Sequence, residues 1–143
     1  MLISASLLAQ KHYGKVVAVA DGDTFTLLTD DNKQIRVRLH GIDCPEKGQD
    51  FGAKAKQFTS RLVFNKWITV HQTDRDRYGR IVAIIPINGT TLNEMLLRNG
   101  LAWHYCKYDK REDWHYLQDS ASAVKVGLWS MPSIAPWEYR KSK

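Results

Sequence analysis

The stretch Arg36–Glu46, RVRLHGIDCPE, most constrains what this chain can fold into, because it reads as a core strand running directly into a polar site. Ile35, Val37 and Leu39 alternate with Arg36, Arg38 and His40, as the two-residue period of a strand requires. Unbroken alternation would carry Ile42 to the charged face and bury Asp43 beside Leu39, desolvating a carboxylate. Gly41 offers a bulge, and one extra residue there returns Ile42 to the core and turns Asp43 outward near Arg38. Pro45 then ends the strand. A cation, Arg38, and two carboxylates, Asp43 and Glu46, thus fall where a metal, a phosphate or both can be held.

The flanking sequence supplies the rest of a small β-rich domain. Val16–Ala20, Thr24–Thr29 and the Arg36 stretch read as an antiparallel meander joined by turns at Asp21-Gly22-Asp23 and Asp30–Lys33. The period then lengthens, with Phe51, Ala55, Phe58 and Leu62 on one helical face. Strands follow at Trp67–His71 and Ile81–Ile85, separated by the polar loop Thr73–Arg80. Thr91 and Glu94 form a capping box for a helix burying Leu92, Met95 and Leu96, which Gly100 stops. A third helix carries Trp114, Leu117, Ala121 and Val124 and ends at Gly127, and the tail from Ser130 reads as irregular. The predicted fold is α+β: a five-stranded Greek-key barrel of the oligonucleotide-binding (OB) type with three α-helices. A split antiparallel α+β sandwich is the structural rival.

A chain of 143 residues suits one domain, placed at 14–138 between an N-terminal arm at 1–13 and a basic C-terminal tail at 139–143. Lys and Arg number 21 against 15 Asp and Glu, a formal +6 that favours a polyanionic partner. No run of eighteen apolar residues is present, so no membrane span is expected. Met1–Gln10 is apolar and poor in charge, like the later part of an export signal, although it lacks a basic start. The favoured expectation is a secreted or periplasmic protein, against the alternative of a weakly packed arm. Cys44 and Cys106 fit neither a CxxC pair nor a disulfide scaffold, and the histidines show no metal-ligand spacing.

Three polar clusters remain: Asp21–Thr24, Asp43 with Glu46, and Asp76–Arg80. Each alone has an ordinary reading, as a hairpin turn, a strand end or helix cap, and a solvated loop. Together they make one consistent site. Oxygen ligands from Asp23 and Asp43 suit Ca²⁺. Arg38 and Arg80 offer forks for phosphate oxygens, and Glu46 is free to take a proton from water.

In VADGDTFTL around Asp23, VRLHGIDCPE, DRYGR ending at Arg80, and LNEMLLRNGLA, the chain resembles the thermonuclease family, whose type member is staphylococcal nuclease, from about Gly14 to Trp137. The resemblance implies a five-stranded OB barrel and Ca²⁺-dependent endonucleolytic cleavage of DNA and RNA to 3′-phosphate ends, by a protein expected to be a monomer. It implies Ca²⁺ ligands at Asp23, Asp43 and the Cys44 backbone carbonyl, catalytic roles for Arg38, Glu46 and Arg80, and substrate contacts from Tyr78, Tyr105 and Tyr108. A family tyrosine falls at Cys106, which Tyr105 replaces by a small shift. The loop after Glu46 is shorter than the type member's, which bears on affinity more than on chemistry. Cys44 and Cys106 both map beside the site, and a disulfide between them is the less favoured alternative to two free thiols. The rival function is a non-catalytic nucleic-acid or protein-binding module on the same barrel.

Overall fold

The computed structural model describes residues 10–143. Five strands build the barrel: β1 (Lys11–Asp21), β2 (Thr24–Thr29), β3 (Gln34–Leu39), β4 (Trp67–Arg75) and β5 (Ile81–Ile84). They close in the order β1-β2-β3-β5-β4, with β4 returning to β1. All pairings are antiparallel except β3 with β5, where Arg38 sits beside Val82. That parallel pairing, reached through the helix between β3 and β4, is the signature of the predicted Greek-key barrel. The core gathers one face of each strand, including Val16, Phe25, Leu27, Val37, Leu39, Val70, Ile81 and Ala83.

Among the described residues four α-helices cover this barrel, not the three expected. They are α1 (Gly52–Val63), α2 (Leu92–Arg98), α3 (Glu112–Ala123) and α4 (Pro136–Lys141). The fourth lies in the segment read as an irregular tail. Pro136 opens it at a position where the missing N–H costs nothing, and Arg140 and Lys141 close it, favourable at the negative end of the helix dipole. Residues 139–141 are therefore helical rather than tail. At the other end, Lys11–Tyr13 belong to β1 and pair with His71, Val70 and Thr69, so these last residues of the expected arm contribute to the sheet. The export-signal reading of Met1–Gln10 falls almost wholly outside the described residues. No helix among the described residues is long and apolar enough to cross a membrane.

Several faces shift by a residue or two. The buried side of α1 runs through Ala55, Thr59 and Val63, leaving Phe58 and Leu62 at its edge and Phe51 outside as a left-handed N-cap. In α2 the Thr91–Glu94 box forms as expected, with the Glu94 N–H donating to the Thr91 hydroxyl at 3.0 Å. Leu97 and Asn93 are buried there, and Met95 only in part. Helix α3 ends at Ala123, four residues before Gly127, because Lys125 takes the left-handed conformation and the Val126 N–H reaches the Ala121 carbonyl. Val124 is accordingly exposed.

Candidate active site

The Arg36–Glu46 stretch departs from the barrel at Gly41, whose φ of +74° makes a turn that glycine accommodates readily. A Cβ there would lie 2.9 Å from both Asp109 and Trp114. Asn93 of α2 holds the turn, donating to the carbonyls of His40 and Ala83 at 3.0 and 3.2 Å. Ile42 returns to the core as predicted. Asp43 comes to Arg38 as predicted but does not turn outward. It is only 1% exposed, because the C-terminal helix closes over it.

Asp23 reaches the same place from the β1–β2 turn. Gly22 packs so closely on α1 that an added Cβ would meet Ala55 at 2.7 Å and the Cys44 sulfur at 2.9 Å. Thr59 donates to the Gly22 carbonyl at 2.6 Å, and the Cys44 N–H donates to Asp23 Oδ2 at 2.7 Å. Arg38 lies between the two loops. Its Nη1 is 3.2 Å from Asp23 Oδ2, its Nη2 donates to Asp43 Oδ1 at 3.2 Å, and Nη1 also donates to the carbonyls of Leu39 and Ile42. Burial opposes the charge on Arg38, but Asp23 and Asp43 outweigh it and hold the guanidinium above its ordinary pKa.

Arg140 of α4 supplies the cation that the sequence reading missed. It forks onto Asp43, with Nη2 to Oδ2 at 2.8 Å and Nη1 to Oδ1 at 3.2 Å, and Nη1 also donates to Glu46 Oε2 at 2.7 Å. Even so, burial pushes the Asp43 carboxyl above its ordinary value, with repulsion from Asp23 adding to it. Asp21 is raised as well, by burial and then by Asp23 and Glu46. Three carboxylates, Asp23, Asp43 and Glu46, thus share two guanidinia, with Asp21 and Lys56 close enough to feel one another's charge. The imbalance favours a further cation, and every carboxylate donor offered is oxygen.

Arg80 does not join this cluster. Its Nε donates to Asp76 Oδ2 at 2.7 Å, within the turn between β4 and β5. Burial disfavours ionised Asp76, but hydrogen bonds from Arg80 and Tyr78 outweigh it and lower its carboxyl. Tyr78 is 61% exposed on the same turn, with the cations of Arg77 and Arg80 over its ring. The turn is tied to the barrel by Arg36, which donates to the Tyr78 carbonyl at 2.9 Å.

A short antiparallel pairing of Ile42 with His104 and Asp43 with Trp103 brings the aromatic segment to the carboxylates. The Tyr105 N–H donates to the Gly41 carbonyl at 2.8 Å. The Tyr105 ring stacks on Trp137 of α4, with centroids 4.7 Å apart and planes 13° from parallel, and meets Tyr108 edge-on at 4.8 Å. One face of Tyr105 is therefore taken by Trp137, while Tyr108, 61% exposed, presents an open ring. Trp103 packs against Trp129 and Trp137 as a supporting aromatic.

For the cysteines the structure follows the favoured reading of two free thiols, and for the histidines it corrects the expectation. Cys44 and Cys106 are both free, Cys44 buried under Gly22 and Cys106 exposed. Burial pushes the Cys44 thiol well up, which keeps it neutral. His104, Cys106 and His115, read as lacking ligand spacing, come within 4.8 Å of one another by their donor atoms. The signal was weak because His115 arrives from a different element.

The family model described as staphylococcal nuclease homologue matches residues 36–131. A protein of Escherichia coli named as an uncharacterised endonuclease is 38% identical over 144 residues, covering 99% of this chain and 94% of its own length. The protein of Shigella flexneri named micrococcal nuclease is 37% identical, covering 90% of this chain and 80% of its own. A 38.1 kDa protein of Capnoides sempervirens is 46% identical over 112 residues, and there the chain spans only a third of the relative's length.

Proposed function

The chain belongs to the staphylococcal nuclease family, and from that premise we propose that it is a Ca²⁺-dependent endonuclease that hydrolyses phosphodiester bonds of DNA and RNA with little sequence preference, leaving 3′-phosphate ends. The observation that carries this reading is the convergence of Asp23, Asp43, Glu46 and Arg38 beside an exposed aromatic ring. A pure binder of polyanions has no use for a carboxylate cluster facing a phosphate.

Asp23, Asp43 and the Cys44 carbonyl are the proposed ligands of Ca²⁺, with Asp21 close enough to be perturbed by the same charges. The fit rests on the all-oxygen donor set and on carboxyls whose crowding a cation would relieve. Bound there, Ca²⁺ supplies charge stabilisation to a phosphate oxygen. Glu46 orients water and takes its proton, and Arg38 donates to the phosphate in the transition state. Arg80 contributes the second fork once its guanidinium leaves Asp76 for the phosphate. Tyr78 lies beside that phosphate, and Tyr108 with the free edge of Tyr105 stacks a base. The protein is proposed to act as a monomer and outside the cytoplasm, the location alone being supported by the apolar composition of Met1–Gln10.

Single-stranded DNA incubated in Ca²⁺ and, separately, in a chelator tests the reading. Fragments ending in 3′-phosphate are expected in Ca²⁺ alone. Intact DNA in both would reject hydrolysis and leave the binding module, which one observation favours: Arg140 covers Asp43 and pairs with Glu46.

A further inference from the structure

Away from the carboxylate cluster, three side chains with softer donor atoms meet at the start of α3. His104 Nδ1 is 3.1 Å from His115 Nδ1, and the Cys106 sulfur is 3.5 Å from each. Bonds of about 2.0 Å to imidazole and about 2.3 Å to thiolate give a tetrahedral ion edges of about 3.3 and 3.5 Å. The three atoms already stand close to one face of that tetrahedron.

The fold builds this face from two elements. His104 and Cys106 are two residues apart where the chain leaves its short pairing with Ile42, so they project to the same side. His115 comes from the first turn of α3, and Gln118 of that helix accepts from the His104 N–H at 2.7 Å, locking the two together. Asp109 Oδ1 lies 3.0 Å from His104 Nε2. A carboxylate only accepts, so Nε2 carries the hydrogen and the neutral ring's lone pair sits on Nδ1, aimed into the triangle. Behind His115, Nε2 lies 3.8 Å from Asp119 Oδ1. The carboxylate bonded behind His104 is the arrangement that orients a metal-binding histidine, whereas Asp119 stands beyond hydrogen-bond distance of His115. Two Nδ1 atoms at 3.1 Å cannot both present lone pairs unless a proton or a metal ion lies between them.

We propose that His104, Cys106 and His115 bind a divalent ion of borderline softness, Zn²⁺ being the ion this sulfur and nitrogen set suits, with the fourth position open to solvent at the exposed Cys106. On binding, the thiol releases its proton to solvent, the thiolate and two neutral imidazoles each donate a lone pair, and no oxidation state changes. The ion staples the Tyr105–Tyr108 segment to α3. The site is chemically distinct from the oxygen-only cluster at Asp23 and Asp43, so its existence does not depend on the nuclease reading.

Zn²⁺ uptake by the full chain, measured by competition with a chromogenic chelator in excess Ca²⁺, is expected at one ion per chain. Co²⁺ in its place should give the visible bands of a tetrahedral ion and a near-ultraviolet thiolate charge-transfer band. Cys106→Ser should remove that band and weaken Zn²⁺ binding by about 100-fold or more, and His115→Ala should weaken it similarly. Asp23→Asn should leave uptake intact. Zn²⁺ binding unchanged in Cys106→Ser and His115→Ala, or lost in Asp23→Asn, would assign the ion to the carboxylates and overturn the proposal. So would the absence of uptake at micromolar Zn²⁺, which would leave a proton-bridged histidine pair.

Discussion

Asp43 and Asp109 are buried to nearly the same extent, 1% and 6% exposed, yet their carboxyls shift in opposite directions. Burial and the neighbouring Asp23 raise Asp43 in spite of two arginines. Asp109 meets the same opposition from burial, but hydrogen bonds from His104, His40 and Arg111 outweigh it and hold the carboxyl low. Asp109 is complete within the protein: it ties the end of β3 to the aromatic segment, bonding His40 at 2.9 Å, His104 at 3.0 Å and Arg111 at 3.0 Å. Asp43 shares its two cations with other carboxylates and is left short of positive charge. The difference separates an aspartate whose charge is met within the protein from one whose charge is only partly met.

The largest effects should break the comparison along that line. Glu46→Ala and Arg80→Ala are each expected to lower turnover of single-stranded DNA by roughly 10³-fold with little change in melting temperature. Near-normal rates in either purified variant would remove its assigned role. Asp109→Ala should cost on the order of 3 kcal/mol in urea unfolding, since it strands the donors of a buried network. The pH dependence carries a sign. A lowered carboxyl stabilises fully above its unfolded value of 3.8 and loses that contribution as pH falls through the lower folded value. The variant's stability should therefore fall less steeply than the wild type's below about pH 4. An equally steep acid limb would show that Asp109 is not the anchor.

Much of this division was legible in the residues themselves. Alternation in β3, the glycine that breaks it, and the capping box at Thr91 are local signals, and each led to the right element. Asp23, Arg38, Asp43 and Glu46 were legible as partners because the strand order that joins them follows from short turns. Arg140 was not. Its helix was signalled by Pro136 and the terminal cations, but that it docks on Asp43, ninety-seven residues earlier in sequence, depends on Trp137 stacking against Tyr105. Asp109 was hidden for the same reason, since its partners come from the residue just after β3, the aromatic segment and the residue just before α3. Arg80, expected at the site from its sequence pattern, instead pairs with Asp76 four residues earlier, a local contact that the charged turn permits without any barrel partner.

A smaller effect sharpens the role of Arg140. Its fork covers both oxygens of Asp43, so it competes for the lone pairs a metal would use. Arg140→Gln should raise Ca²⁺ affinity by about 10-fold through the loss of one like charge at a partly screened distance, as calorimetry would read. The same variant should loosen α4 and raise the KM for oligonucleotides. Weaker Ca²⁺ binding instead would mean that Arg140 organises the carboxylates rather than competing with the metal.

The smallest effect is the most specific, because its sign runs opposite to that of Asp109. Asp21 has its carboxyl raised by burial and by Asp23 and Glu46, so in the metal-free protein its ionisation costs stability. The native state then holds its proton to higher pH than the unfolded chain does, and stability declines as pH rises from 3.8 through the raised value. Asp21→Asn removes that cost. It should leave acid stability unchanged, and at neutral pH it should stabilise the metal-free protein by a few tenths of a kcal/mol, since Asp21 is only partly buried and solvent screens the repulsion. Added Ca²⁺ should reverse the order, because the wild type gains more from a bound cation than the variant does. Melting curves of both proteins across pH, with and without Ca²⁺, read all three outcomes. A variant less stable than the wild type in chelator would mean that the carboxylates are already balanced by Arg38, Arg140 and Lys56, and that the cluster has no charge deficit for a metal to fill.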